Sequence, residues 1–504
     1  MESHFFVDVH CHPSIKAYAR SYALKTGEQA KDPRNRSSIW HQDAPSLFDK
    51  VKNYIASLTN FIQSDATSLL RGRVCVACLS FYPQEKSFFV NKMGTGIVSD
   101  TLTKLATEFG QERIDHLQSL TSYWEDLRIE MNFLCQQENV EQKIDGKKVT
   151  YQIARSYADI ELADRGGELG ETKVIFVPTI EGGHIFDQVM NSHIPAGTFP
   201  GGIPDDVLAV TLQRVKELRG SKNGYIKPAF ITFAHHFWNG LCGQARSLGG
   251  LVKCVVDQEN GLNGGFTAAG YEVARALLRD EKDENGKDIK PVIIDIKHMS
   301  RQSRLDYFEF LKTEFPDKTI PLIASHAGAT GLSQPGGSNA TPAAQEGLYM
   351  EDDINFFDDE LLQIEQSAGL VGIQLDERRI GSKQALRNAK GNIRRRDILY
   401  AWSKLVWNQV RHMAELLDMN GRYAWGIQAL GTDFDGIIDP INGYWTAETL
   451  DDLDDYLIKH VFNYLKEVSQ PCPLMQERNK AISAEEVVER VMTSNALNFL
   501  SKIY

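Results

Sequence analysis

Six side chains able to bind a divalent cation stand at the ends of separate apolar runs. They are His10 and His12 in FFVDVHCH, Glu181 in VIFVPTIEGGH, His298 in VIIDIKHMS, His326 in PLIASHAG and Asp433 in IQALGTDFDG. Imidazole and carboxylate ligands with open positions suit Zn²⁺, with Mn²⁺, Co²⁺ or Fe²⁺ as alternatives. Two such ions held close together would generate hydroxide at neutral pH and polarise a carbonyl, which is the chemistry of hydrolysis. His10 and His12 are two apart on an extended segment, so both imidazoles share a face while Cys11 points away. They can grip one cation. His298 and His326 end consecutive strands and suit a second. Glu181 lies between these groups in strand order, and its two oxygens can bridge. Asp433 ends the last strand, next to the first, and reaches the first ion. Each piece alone is weak, because a lone buried histidine is more often a hydrogen-bonded core residue than a ligand. The joint pattern carries the argument, since every candidate falls at the carboxyl end of its run.

The runs that position these ligands read as buried parallel strands, apolar and rich in β-branched residues. Eight are expected: His4–His10, Val74–Phe81, Lys173–Ile180, Ala229–Ala234, Val292–Ile296, Ile320–Ala324, Leu370–Leu375 and Ala424–Leu430. Helical spacing separates them. Leu47–Leu70 carries Leu47, Val51, Tyr54, Ile55, Leu58, Phe61 and Ile62 at helical intervals, and Asp205–Arg219 turns Val207, Leu208, Val210, Leu212, Val215 and Leu218 inward. Further helices are expected near Glu112–Gln137 and at Tyr271–Leu278, Ser303–Phe315, Asp358–Gln366 and Arg395–Met419, the last closed by Asn420-Gly421. Asp145-Gly146 reads as a turn between strand-like flanks, and Ser483 with Glu486 as a capping-box pattern at the start of a C-terminal helix. Strands alternating with helices predict an α/β fold, a (β/α)8 TIM-type barrel of the metal-dependent hydrolase kind with helical insertions. In that fold the ligands gather at the carboxyl ends of the strands. One domain over residues 1–504 is expected, elaborated at about 13–72, 83–172 and 327–357.

Composition narrows the partners. The net charge of −12 argues against a polyanion such as nucleic acid. No run approaches the roughly 20 apolar residues of a membrane span, and MESHFFVDVH reads as the first strand and not a secretion signal. Seven cysteines scattered along 504 residues suit a reducing, cytoplasmic setting. Cys75 and Cys78 form a CxxC inside RVCVACLSFY, and with no second pair they read as strand cysteines.

Beyond the ligands, longer segments carry a resemblance. TIEGGH, FITFAHHFWN, GLNGGFTAAGYEVAR, IIDIKHMS, PLIASHAG, LGTDFDG and the C-terminal EEVVERVMTSNALNFL resemble the renal (membrane) dipeptidase family of the amidohydrolase superfamily. The similarity is patchy but in register from about residue 173 onward; before that only the first two strands match. The resemblance implies a binuclear-zinc barrel that hydrolyses dipeptides, commonly as a homodimer. It implies that Glu181 bridges the metals, that His298 and His326 hold the second, and that Asp433 shuttles a proton from water to the leaving amine. It further implies that His235 hydrogen-bonds the substrate carbonyl and oxyanion, with neighbouring His236 as a competing assignment.

Two positions depart from the family pattern. His12 stands where the family has an aspartate, which makes the first metal position less anionic. Ile354, in DDINFFDDELL, stands where the family has the arginine that binds the dipeptide carboxylate. Arg378 and Arg379 could take its place, against the alternative that they are surface arginines. The sequence therefore predicts a hydrolase of small amide or peptide substrates, with a phosphoesterase or lactonase on the same barrel, or a non-catalytic binding barrel, as the other readings.

Overall fold

A computed structural model of the chain describes residues 5–24, 27–56, 59, 61–90, 107–163, 172–187, 203–249, 256–282, 285–286, 288–466 and 472–504. The eight expected strands are present as β1 (Phe6–Cys11), β2 (Val74–Phe81), β3 (Thr172–Glu181), β4 (Phe230–Thr232), β5 (Ile293–Asp295), β6 (Ile323–Ala327), β7 (Leu370–Ile373) and β8 (Gln428–Leu430). The part of the expected first strand at His4 lies outside the described residues. The chain forms two compact units. The first comprises Met1–Cys11, Asp43–Ala77 and Pro321–Lys502; the second comprises His12–Gln42, Cys78–Ile320 and Ile503–Tyr504.

In the first unit β6, β7, β8 and β1 lie side by side and parallel, with Ile323 opposite Leu370, Val371 opposite Gln428 and Asp8 opposite Leu430. Every residue of these four strands is buried, as parallel strands covered on both faces require. The helix Arg395–Met419 follows the expected bounds and buries Trp402, Leu405, Val406, Val410 and Met413. It ends where Gly421 takes φ 71°. There Arg422 N donates to Leu417 O and Gly421 N to Asp418 O, which satisfies the last carbonyls.

In the second unit β3, β4 and β5 are parallel, with Ile180 opposite Ile231 and Phe230 opposite Ile293. A further strand, Lys147–Ile153, pairs parallel with β3 and antiparallel with Gln142–Ile144. The expected Asp145-Gly146 turn joins that hairpin, with both residues at positive φ (49° and 81°). Ser300 and Thr267 cap the helices Arg301–Glu314 and Ala268–Leu278 by accepting the N–H of Ser303 and Gly270.

Three expectations shift. The Leu47–Leu70 pattern is two helices, Leu47–Ala56 and Ala66–Arg71, and the second starts afresh because Asp65 caps it at Ser68 N. Leu47 and Val51 are exposed, so the apolar spacing there marks no buried face; Val210 is likewise exposed. β6 begins at Ile323 and not Ile320, because Pro321 has no N–H and Leu322 N donates to Ser367 Oγ. β6 also runs on to Ala327, so His326 sits inside it, one residue from its end. At the C-terminus Ser483 caps the helix Ala484–Glu489 by accepting Glu486 N, as expected. No helix among the described residues is long and apolar enough to cross a membrane.

Candidate metal centre

The first unit gathers His10, His326 and Asp433. β1 turns Asp8 and His10 to one face. The Asp8 carboxylate accepts from His10 N (3.1 Å), Thr432 N (3.0 Å) and Thr432 Oγ1 (2.5 Å), which ties the end of β1 to the turn after β8. Burial pushes the Asp8 carboxyl up to about 7, against the pull of the Thr432 donors. Ser325 Oγ lies 3.1 Å from His10 Nδ1 and 2.9 Å from His326 Nδ1. One hydroxyl thus orients two imidazoles, whose ring centroids are 3.9 Å apart. His10 turns Nε2 toward Asp433, 3.8 Å from Oδ1. Asp433 adopts φ 61°, a left-handed conformation that aspartate tolerates, and its N–H donates to His10 O. Gln374 Nε2 donates to Asp433 Oδ2 at 2.6 Å. A Cβ on Gly372 or Gly431 would stand 1.9 or 2.0 Å from the Ser325 carbonyl oxygen, so only glycine permits this approach.

The second unit gathers His12, Glu181, His235 and His298 around one carboxylate. His12 Nδ1 lies 2.9 Å from Ser80 O, and a carbonyl can only accept, so Nδ1 carries the proton. His12 Nε2 stands 3.1 Å from Glu181 Oε2. On the other oxygen, His298 Nε2 is 3.5 Å and His235 Nε2 3.4 Å from Glu181 Oε1. Glu181 is only 3% exposed. Ligand atoms about 2.0–2.1 Å from a tetrahedral Zn²⁺ stand about 3.3 Å from one another. The spacings of His12 and His298 from opposite oxygens of Glu181 fit that figure, and the donor types are those of a zinc ligand set. Burial drives His298 well below the usual imidazole range, aided by the positive charge of its neighbours, so its ring is neutral and able to ligate.

His235 is different. Burial alone would lower it, but the carboxylates of Glu181 and Glu85 outweigh burial and hold it up at about 9. Its Nδ1 is 2.7 Å from Glu85 Oε2. Burial alone would raise Glu85, and the imidazoles of His235 and His184 outweigh that and hold the carboxyl down at about 2. His235 is therefore a charged donor facing Glu181. His236 Nδ1 is held by Ser247 Oγ at 2.7 Å, and His235, His236 and His298 each offer a ring nitrogen within 4.8 Å of the others.

No family model matches the chain, and no curated protein matches it. Among solved structures, the crystal structure of dipeptidase AC, a metallopeptidase of family M19, superposes with a TM-score of 0.53 at 14% identity over 100% of this chain and 99% of that one. A metallopeptidase from Rhodobacter sphaeroides, liganded with a phosphinate mimic of the dipeptide L-Ala-D-Ala, gives 0.49 at 14% identity over 99% of both chains. A probable dipeptidase from Pseudomonas aeruginosa gives 0.46 at 13% identity over 88% of this chain and 89% of that one. The fold is a (β/α)8 barrel, as in dipeptidase AC. The likeness runs the length of the chain, including the region before residue 173 where the sequence resemblance is thin.

Among the expected ligands, Glu181 ends β3, His12, His298 and Asp433 stand just past their strands, and His10 and His326 are the penultimate residues of β1 and β6. Glu85, Ser325 and Gln374 were not singled out by sequence. Glu85 follows β2 as the first carboxylate past its end, the same signal that found Glu181, but masked by the intervening Tyr-Pro-Gln. Ile354 is buried and offers no charge. Arg378 is committed elsewhere: its Nε and Nη2 donate to the Asp376 carboxylate and Nη2 also to Ile437 O.

Proposed function

We propose that the chain is a metal-dependent hydrolase that cleaves a small amide or peptide bond, dipeptidase-like, in the cytoplasm. The observation that carries the reading is the Glu181 carboxylate, whose two oxygens are approached from different sides by the Nε2 atoms of His12 and His298. The proposed metal ligands are His10, His326 and Asp433 in the first unit and His12, Glu181 and His298 in the second; Zn²⁺ suits these donors best. When bound, the two ions supply an activated water and polarise the scissile carbonyl.

The chain's own residues do the rest. Gln374 Nε2 holds Oδ2 of Asp433, and Asp433 takes the proton from the attacking water and delivers it to the leaving amine. His235 directs Nε2–H at the carbonyl oxygen and stabilises the charge that grows there. Ile354 brings no cation to a substrate carboxylate, so the proposed substrates extend beyond free dipeptides to other small amides. A panel of dipeptides, N-acyl amino acids, lactones and phosphodiesters tests the class. Turnover confined to the amides supports the reading; turnover confined to lactones or phosphodiesters replaces it. Asp433→Asn should abolish turnover while most of the metal stays bound, and near-normal activity in that variant rejects the proton route.

A further inference from the structure

A net charge of −12 hides one strongly cationic stretch. Between Glu377 and Asp397 the chain carries eight Lys and Arg and no Asp or Glu. The short helix Lys383–Ala389 sets Lys383 and Arg387 one turn apart on one face. A turn through Gly391, at φ 111°, then leads to Ile393 and to Arg394, Arg395 and Arg396 at the start of the helix Arg395–Met419. Pairing relieves only part of this charge. Lys390 meets Glu377 at 3.5 Å, Arg396 meets Asp397 at 3.4 Å and Arg395 meets Asp452. Lys383, Arg387 and Arg394 are exposed and form no ion pair among the described residues.

Large apolar side chains share the surface. Ile393 is 92% exposed beside three arginines. It lines a shallow cavity of about 300 Å³ together with Lys50, Arg395, Ile398 and Trp445, which sets this loop beside the helix Leu47–Ala56. One turn before Lys50 on that helix, Leu47 is 80% exposed, and Phe48 next to it 74%. A single exposed aliphatic residue is ordinary, whereas three on adjoining elements beside a cationic run mark a contact surface.

We propose that this face docks on an anionic bilayer surface. Ile393, Leu47 and Phe48 enter the boundary between headgroups and acyl chains, while Lys383, Arg387 and Arg394 meet the lipid phosphates. An apolar and a cationic signal together hold a protein at a membrane where either alone binds weakly. The apolar members decide between anions: the phosphate backbone of a nucleic acid would match the arginines but offers aliphatic side chains nothing. The attachment is peripheral and requires no spanning helix.

Co-sedimentation of the full-length protein with vesicles tests this. At about 0.1 M salt, binding to phosphatidylcholine vesicles containing about 30% phosphatidylserine should exceed binding to pure phosphatidylcholine by at least about 10-fold, and about 0.5 M salt should remove most of the excess. The double variant Arg387→Gln, Arg394→Gln should lower binding to the anionic vesicles at least about 10-fold, and Ile393→Asp at least about 5-fold. These side chains are exposed, so the urea midpoint of each variant should match wild type; the lipid and salt comparisons need wild type alone. Equal binding to the two vesicles, or binding to neither, overturns the proposal. So does a double variant that binds the anionic vesicles like wild type, or tighter binding to duplex DNA than to vesicles at equal phosphate. Unchanged binding by Ile393→Asp overturns it as well, because the apolar contact is what selects lipid over other polyanions.

Discussion

His12 Nε2 and Glu181 Oε2 stand 3.1 Å apart, while the other nitrogen of that imidazole is committed to the Ser80 carbonyl. With Nδ1 carrying the proton, a neutral His12 sets a lone pair against a carboxylate oxygen in a buried setting. Such a pair repels unless a positive charge lies between, and an imidazole plus a carboxylate at ligand spacing is a site for a divalent ion. Glu181→Ala should therefore lower bound metal below one equivalent per chain and remove activity. Inductively coupled plasma mass spectrometry of the variant checks this, and full metal retention would remove Glu181 from the ligand set.

Ser325 holds His10 and His326 by their Nδ1 atoms, and two glycines make room for it. A methyl group at 431 or 372 has no space beside the Ser325 carbonyl. Gly431→Ala should destabilise the fold by about 3 kcal/mol and weaken metal retention, as overpacking of a rigid core does. Urea unfolding with metal analysis reads both; a midpoint within error of wild type would show that the strand can shift to accommodate the methyl.

A substrate carboxylate meets no cation at Ile354, and Arg378 is bonded to Asp376. Converting a good dipeptide substrate to its C-terminal amide should change KM by less than about 10-fold, against the larger factor expected where a charged hydrogen bond of about 1.5–3 kcal/mol is lost. A steady-state comparison of the two substrates decides it. A loss of 100-fold or more would mean that another cation captures the carboxylate.

His460 gives a pH dependence away from the candidate metal ligands. It is buried beside Tyr400 O (3.1 Å) and Ser403 Oγ (3.0 Å), and burial, with Lys404 and Lys459 adding to it, lowers it from 6.5 to about 4. A histidine depressed in the folded state is neutral there while the unfolded chain takes up a proton, so the unfolded state binds more protons between about pH 6.5 and 4. Stability should fall as pH drops through that window, by at most about 1.4 kcal/mol per pH unit from this group. His460→Gln should flatten that slope in urea titrations at pH 7, 5.5 and 4.5; an unchanged slope would assign it to other groups.

The candidate ligands stood out in the sequence because a parallel strand buried on both faces is a nearly unbroken apolar run, and a polar side chain at its end is conspicuous. His298 and Asp433 illustrate the limit of that signal. Each adopts a left-handed φ (65° and 61°) that aims its side chain, and nothing in a linear pattern reports a dihedral. Glu85 and His235 are 150 residues apart in sequence, and a pairing across loops has no period to detect. Helical spacing misled at Leu47 and Val51, because apolar periodicity shows what a helix could bury and not whether anything covers it. The departure of Ile354 from the resembling family was visible from the sequence, whereas its burial was not.

The metal content of the purified full-length protein, measured after dialysis against Zn²⁺ and removal of the excess, tests the central claim most directly. The account predicts two equivalents of Zn²⁺ per chain in wild type. Protein that takes up no transition metal under these conditions would contradict it.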